Sequence, residues 1–174
     1  MRILTTMLVL SFVVAPTFVS ARTKKEAAAD QHYDEMKMKA EKGQWKAVDK
    51  AYERFAKQGR KIMKSETYGH AHFLAAEASA ELGDVDAVMK RLKVSIKAKY
   101  EVTQAKSWLN SLKKDYGRVV IAKQKAKSAL KKEGGYPLDP RKRNAIEFVE
   151  DRLSDGGKIK AWLPTGRYSL GSNS

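Results

Sequence analysis

Glu41-Lys42-Gly43-Gln44-Trp45-Lys46-Ala47-Val48 is echoed by Glu81-Leu82-Gly83-Asp84-Val85-Asp86-Ala87-Val88, an offset of 40 residues from Gly43 to Gly83. Gly, Ala and Val fall at the same places, and an aromatic or aliphatic residue stands between them. A glycine that closes one helix and an apolar residue that opens the next is the pattern of a tight helical hairpin. Two such copies predict stacked helix–turn–helix units, an architecture that usually presents a surface to a partner.

The flanking segments carry helical periodicity. Thr23-Lys-Lys-Glu26 reads as a capping box and starts a helix that should end near Gly43. Trp45, Val48, Ala51, Tyr52 and Phe55 make one apolar stripe, which Gly59 stops or kinks. A third helix is expected from Ser65 or Thr67 to Leu82, with a small-sided stripe of Ala71, Ala75, Ala78 and Leu82. Val85, Val88, Met89, Leu92 and Ile96 mark a fourth, which Asp84 can cap. A fifth carries Val102, Ala105, Trp108, Leu109 and Leu112.

These features resemble the tetratricopeptide repeat family over roughly residues 26 to 112. There a small residue closes the first helix, an aromatic follows two positions later, and side chains on the second helix interlock. Gly43 with Trp45, and Gly83 with Val85, stand in that relation, and Ala51 and Tyr52 suit the interlock. The offset exceeds the family's usual spacing of about 34. The position where a third copy would place a small residue is Lys123.

The chain changes character at Gly117. Val119-Val120-Ile121 favours a strand. A run of Arg118, Lys123, Lys125, Lys127, Lys131 and Lys132 follows without an acid, as a basic strand end or linker. Asp139-Pro140 sets an N-cap and first helical position. Ala145, Ile146, Val149 and Leu153 should face inward along that helix. Ile159, Ala161 and Leu163 alternate, Pro164-Thr165-Gly166 turns, and Arg167 to Leu170 alternate again. A closing β-hairpin is expected, with residues 118–122 pairing alongside it. The stretch from Trp162 to Gly171, with Tyr116 to Ile121, resembles β-modules of the PEGA type, which often accompany helical repeats in envelope proteins.

The first 21 residues have the form of a cleaved secretory leader. Arg2 precedes an apolar stretch from Ile3 to Ala15, Pro16 breaks it, and Val19-Ser20-Ala21 offers a cleavage site. That stretch is shorter than the ~20 residues a spanning helix needs. The three expected parts are thus a leader over 1–21, a helical repeat domain over 22–115 and a small α+β tail over 116–174. Cysteine is absent, so no disulfide stabilises the exported chain and no acylated cysteine anchors it.

Removing the leader takes one arginine and no acid from a net charge of +15, leaving +14. That excess favours anionic partners: lipid headgroups, an envelope polymer or acidic proteins. Export makes nucleic acid the least favoured of these. His70 and His72, two apart on a helix, point to nearly opposite faces and cannot share a metal. Glu147, Glu150 and Asp151 read as a solvated face, as does the basic set of Lys90, Arg91, Lys93, Lys97 and Lys99. No Gly-x-Ser-x-Gly elbow, phosphate-binding loop or zinc-ligand spacing occurs.

The expectation is a mainly α protein, a tetratricopeptide-like hairpin stack with a small α+β tail. It should act without cofactor or catalysis, as an exported adaptor that docks a partner protein in the cell envelope. Tyr33, Tyr68, Trp162 and Tyr168 are the candidate partner-binding residues, beside an open sheet edge. Trp45 is read as core. The competing expectation is a basic binder of anionic polymer or lipid through Arg118 to Lys132. Oligomeric state is not legible.

Overall fold

The computed structural model describes residues 23–122 and 128–172. The leader read over residues 1–21, and Lys123, Lys125 and Lys127, lie outside the described residues. Helices dominate: α1 (Lys24–Glu41), α2 (Trp45–Ala56), the one-turn α3 (Arg60–Met63), α4 (Gly69–Glu81), α5 (Val85–Lys97), α6 (Val102–Asp115) and α7 (Pro140–Ser154). Four short strands complete the chain: β1 (Tyr116–Ile121), β2 (Ser128–Lys132), β3 (Ile159–Pro164) and β4 (Tyr168–Ser172). The chain is thus mainly α with a small β-containing tail. No described helix is long and apolar enough to cross a membrane.

The helix ends follow the local chemistry. Thr23 and Glu26 form the expected capping box, Asp84 accepts from the Ala87 amide, and Asp139 accepts from the amides of Arg141 and Lys142. Gly43 and Gly83 adopt φ of +64° and +79° as they end α1 and α4. The third helix departs from expectation. α2 ends at Ala56, and α3 and a 3₁₀ turn (Glu66–Tyr68) intervene before α4 begins at Gly69.

α4 is the central element. Its Ala71, Leu74, Ala75 and Ala78 pack with Met36, Val48 and Phe55 of the first hairpin and with Tyr68 of the 3₁₀ turn. Its Phe73, Ala76 and Ala80 pack with Val88, Leu92, Ala105 and Leu109 of α5 and α6. Small residues on both flanks let helices approach from two sides, so α4 has no solvated half. Tyr68 sits in the first cluster at 6% exposure, which removes it from the candidate partner-binding set. Its hydroxyl donates to the Asp30 carboxylate at 2.8 Å.

The expected closing hairpin is not formed. β3 runs antiparallel to β1, with Arg118 opposite Trp162, and β4 runs antiparallel to β2, with Lys132 opposite Tyr168. The turn at Pro164 to Arg167 therefore carries the chain from one two-stranded ladder to the other. The reason is burial. Ile121, Leu130, Ile159, Ala161 and Leu163 cover the Ile146, Val149 and Leu153 stripe of α7, which each ladder reaches separately. β2 itself falls within the expected basic linker. The expected pairing of the strand near residue 118 with the chain end does occur, through β3.

Arg91, expected on a solvated face, turns inward. Its side chain is 12% exposed and its guanidinium lies 2.6 Å from the Asp49 carboxylate of α2. It also donates to the Ala75 carbonyl at 2.9 Å and stacks over the Tyr52 ring at 4.5 Å. One side chain thus ties α5 to α2 and α4. Burial pushes the Tyr52 hydroxyl up to about 12, against the opposing pull of Arg91.

Candidate functional site

Only three of the α4 residues are not buried: His70, Glu77 and Glu81. Spaced by seven and four, they form one stripe, the single side of α4 that stays partly exposed. Rings from three other segments converge on it. The Tyr33 and His70 rings lie 5.8 Å apart, His70 and Tyr100 5.2 Å, Tyr100 and Phe73 5.9 Å, and Phe73 and Trp108 5.8 Å. The Arg141 guanidinium then lies 5.5 Å from the Trp108 ring. A continuous chain of aromatic contacts thereby runs from α1 across α4 to α6. Except for buried Phe73, each ring is only partly covered.

Local structure holds these rings in place. The Tyr33 hydroxyl and His70 Nδ1 share a hydrogen bond of 2.6 Å. Tyr100 is presented by a strained connection, because Lys99 and Glu101 on either side of it take left-handed φ of 55° and 43°. The buried Ser95 hydroxyl supports that connection by donating to the Tyr100 and Gly69 carbonyls at 3.2 and 3.3 Å. Arg141 Nε donates to the Glu81 carboxylate at 2.8 Å, fixing the far end.

The electrostatics of the face favour neutral groups. Burial lowers His70 below the usual imidazole value, and Lys37 adds to the effect. Burial raises the Tyr33 hydroxyl. Burial also raises the Glu77 carboxyl, with Arg141 opposing and Glu81 reinforcing the shift. The stripe therefore offers aromatic edges, phenol hydroxyls and one carboxylate with no hydrogen-bond partner among the described residues. Such a mixed surface suits a protein or peptide contact.

Of the sequence candidates, Tyr33 belongs to this face and Tyr68 does not. Trp162 is partly buried against the α5–α6 cluster, opposite exposed Arg118 in the β1–β3 ladder. Tyr168 packs toward α7 and donates its hydroxyl to the Pro164 carbonyl at 2.7 Å. Among the described basic-run residues, Arg118 lies on one ladder and Lys131 and Lys132 on the other. The Lys132 stem covers Gly166, and its ammonium donates to the Glu133 carbonyl. Trp45, expected as core, packs against the first cluster while staying partly exposed.

His72, fully buried, serves the core. Met63 O can only accept, so His72 Nε2 donates to it at 2.8 Å and Nδ1 accepts from the Tyr52 hydroxyl at 3.0 Å. No cluster of three potential metal ligands occurs among the described residues. Phe73, Glu77, Tyr100 and Trp108 are site residues that the sequence candidates omitted. The helical stripe around Trp108 was legible, but its contact with Phe73 depends on how α6 meets α4.

No family model, no curated protein and no solved structure matches this chain.

Proposed function

We propose that the chain is an exported adaptor that docks a partner protein in the cell envelope through the uncovered stripe of α4. The observation that carries this reading is the run of partly covered rings from Tyr33 to Trp108 on the one open side of an otherwise buried helix. Aromatic side chains of restricted mobility supply contact area at low entropic cost, as interface anchors do. The leader-like first 21 residues support the address. The excess of basic side chains would speed encounter with an acidic partner. A second attachment is offered by the tail, where each strand has one hydrogen-bonded neighbour among the described residues. A partner strand could extend either ladder by β-augmentation.

The competing proposal, an electrostatic binder of anionic polymer or lipid, has less support. The described part of its basic run is divided between two ladders. Salt separates the two. The chain from Arg22 onward should retain a discrete envelope protein at high salt, and Glu77→Arg should abolish that retention. Binding only to polymer or lipid vesicles, lost as salt rises, would favour the electrostatic mode.

A further inference from the structure

The two repeat turns match bond for bond. Gly43 N donates to Ala40 O and Gln44 N to Lys39 O, both at 2.9 Å. Gly83 N donates to Ala80 O at 3.2 Å and Asp84 N to Ser79 O at 2.9 Å. Trp45 and Val85 then open the following helices. The surroundings of the two turns differ.

α7 seals the second turn. A Cβ on Gly83 would lie 2.1 Å from the Asn144 carbonyl oxygen. The Asn144 amide donates to the Glu81 carbonyl at 2.8 Å, satisfying a free carbonyl at the end of α4. Ala145 packs into the cluster with Val85 and Val88. The first turn has no such cover. A Cβ on Gly43 would meet nothing within 4 Å. Gly43, Gln44, Trp45, Lys46, Ala47 and Leu82 line an open groove of about 410 Å³. Through Lys46 and Leu82 it continues into a hollow of about 380 Å³ that reaches Phe148, Glu147 and Asp151 on α7.

We propose that this groove docks an amphipathic helix of a partner protein, seated on the α1–α2 turn as α7 is seated on the α4–α5 turn. Three observations define the occupant. The equivalence of the turns calls for a small residue against Gly43 and an amide side chain to satisfy the Glu41 carbonyl. Continuity with the α7 docking surface extends an apolar floor from Trp45 past Leu82 to Phe148. Lys39, Lys42 and Lys46 flank the turn, and none is in an ion pair among the described residues. The end of the helix seated over the turn therefore carries acidic side chains beside its apolar stripe, whereas Glu81, Glu147 and Asp151 border the far hollow. This site meets the α4 stripe only at Glu81, which lines the hollow, and does not depend on docking there.

The test uses the whole chain, isotopically labelled, and a stapled helical peptide. The peptide has the sequence of residues 140–154 with Arg141→Glu, Lys142→Glu and Arg143→Glu. Saturable amide shifts at Gly43 and Leu82, with a shift of the Trp45 indole, are expected. Ala47→Arg, which fills the groove from a partly exposed helix position, should weaken binding at least tenfold. Lys46→Glu should weaken it several-fold without touching the apolar floor. The proposal is overturned if these resonances stay fixed at millimolar peptide, or if neither variant changes the affinity. Shifts centred on Gly83 and Asn144 would also overturn it, since the peptide would be displacing α7. So would concentration-dependent shifts at Gly43 and Trp45 without peptide, which would assign the groove to a second copy.

Discussion

Gly83 and Asn144 are packed backbone to backbone, and no side chain fits between them: an added Cβ would stand 2.1 Å from the Asn144 carbonyl oxygen. Gly43, its repeat equivalent, faces open space. Both glycines have positive φ, which costs an alanine roughly 1–2 kcal/mol. Gly43→Ala should lose about that much stability. Gly83→Ala should lose about 1–3 kcal/mol more, because α7 must shift. Urea denaturation of the two variants, compared side by side, measures the difference. Equal losses would contradict the seating of α7 on the second turn.

Arg91 holds the two hairpins together through Asp49, Ala75 O and the face of Tyr52. Removing it leaves a partly buried carboxylate uncompensated, so Arg91→Ala should cost roughly 3 kcal/mol. Arg91→Lys should recover little, since an ammonium cannot serve three partners from one plane. A thermal-melt series with Asp49→Asn as the cycle partner checks the coupling.

Acid should loosen the core through His72. Burial depresses its imidazole from 6.5 to about 4, outweighing the opposing hydrogen bond to Met63 O. The unfolded chain therefore binds a proton that the folded chain refuses. Stability from this group is fully present above about pH 6.5 and falls as pH drops toward 4, by up to about 3 kcal/mol. Melting temperatures from pH 7.5 to 4 should show this slope, and it should flatten in His72→Gln.

The helix boundaries were readable because capping and glycine chemistry are local: Thr23, Gly43, Gly83 and Asp139-Pro140 act on neighbours within a turn. What escaped depends on tertiary placement. Arg91 looks like one more surface cation until Asp49 and Tyr52 arrive from a helix some forty residues earlier. β3 and β4 look like a hairpin because they share a turn, yet the α7 stripe gives each a better partner in β1 and β2. Tyr68 has an interface-like composition, but the first cluster closes over it. The ring chain joins residues from α1, α4, the α5–α6 connection and α6, so no sequence window contains it.

Variants on the uncovered α4 stripe should separate docking from folding. Trp108→Ala removes a partly exposed ring that packs at a tilt against Phe73, at a cost of about 1–3 kcal/mol to the fold. Glu77→Arg removes a carboxylate that accepts no hydrogen bond among the described residues but is partly buried and attracted by Arg141, so circular dichroism should be kept while the melting temperature falls modestly. Both should lower partner affinity at least tenfold. A Glu77→Arg chain that binds normally would move the interface elsewhere.

The most direct measurement places a photo-crosslinking amino acid at position 77 in the full chain, with a second chain labelled at position 131, and irradiates intact cells. The account predicts a discrete protein adduct from position 77; an adduct from position 131 beside it would report the strand attachment at β2. Adducts from position 131 alone, or no protein adduct at position 77, would contradict docking on the α4 stripe.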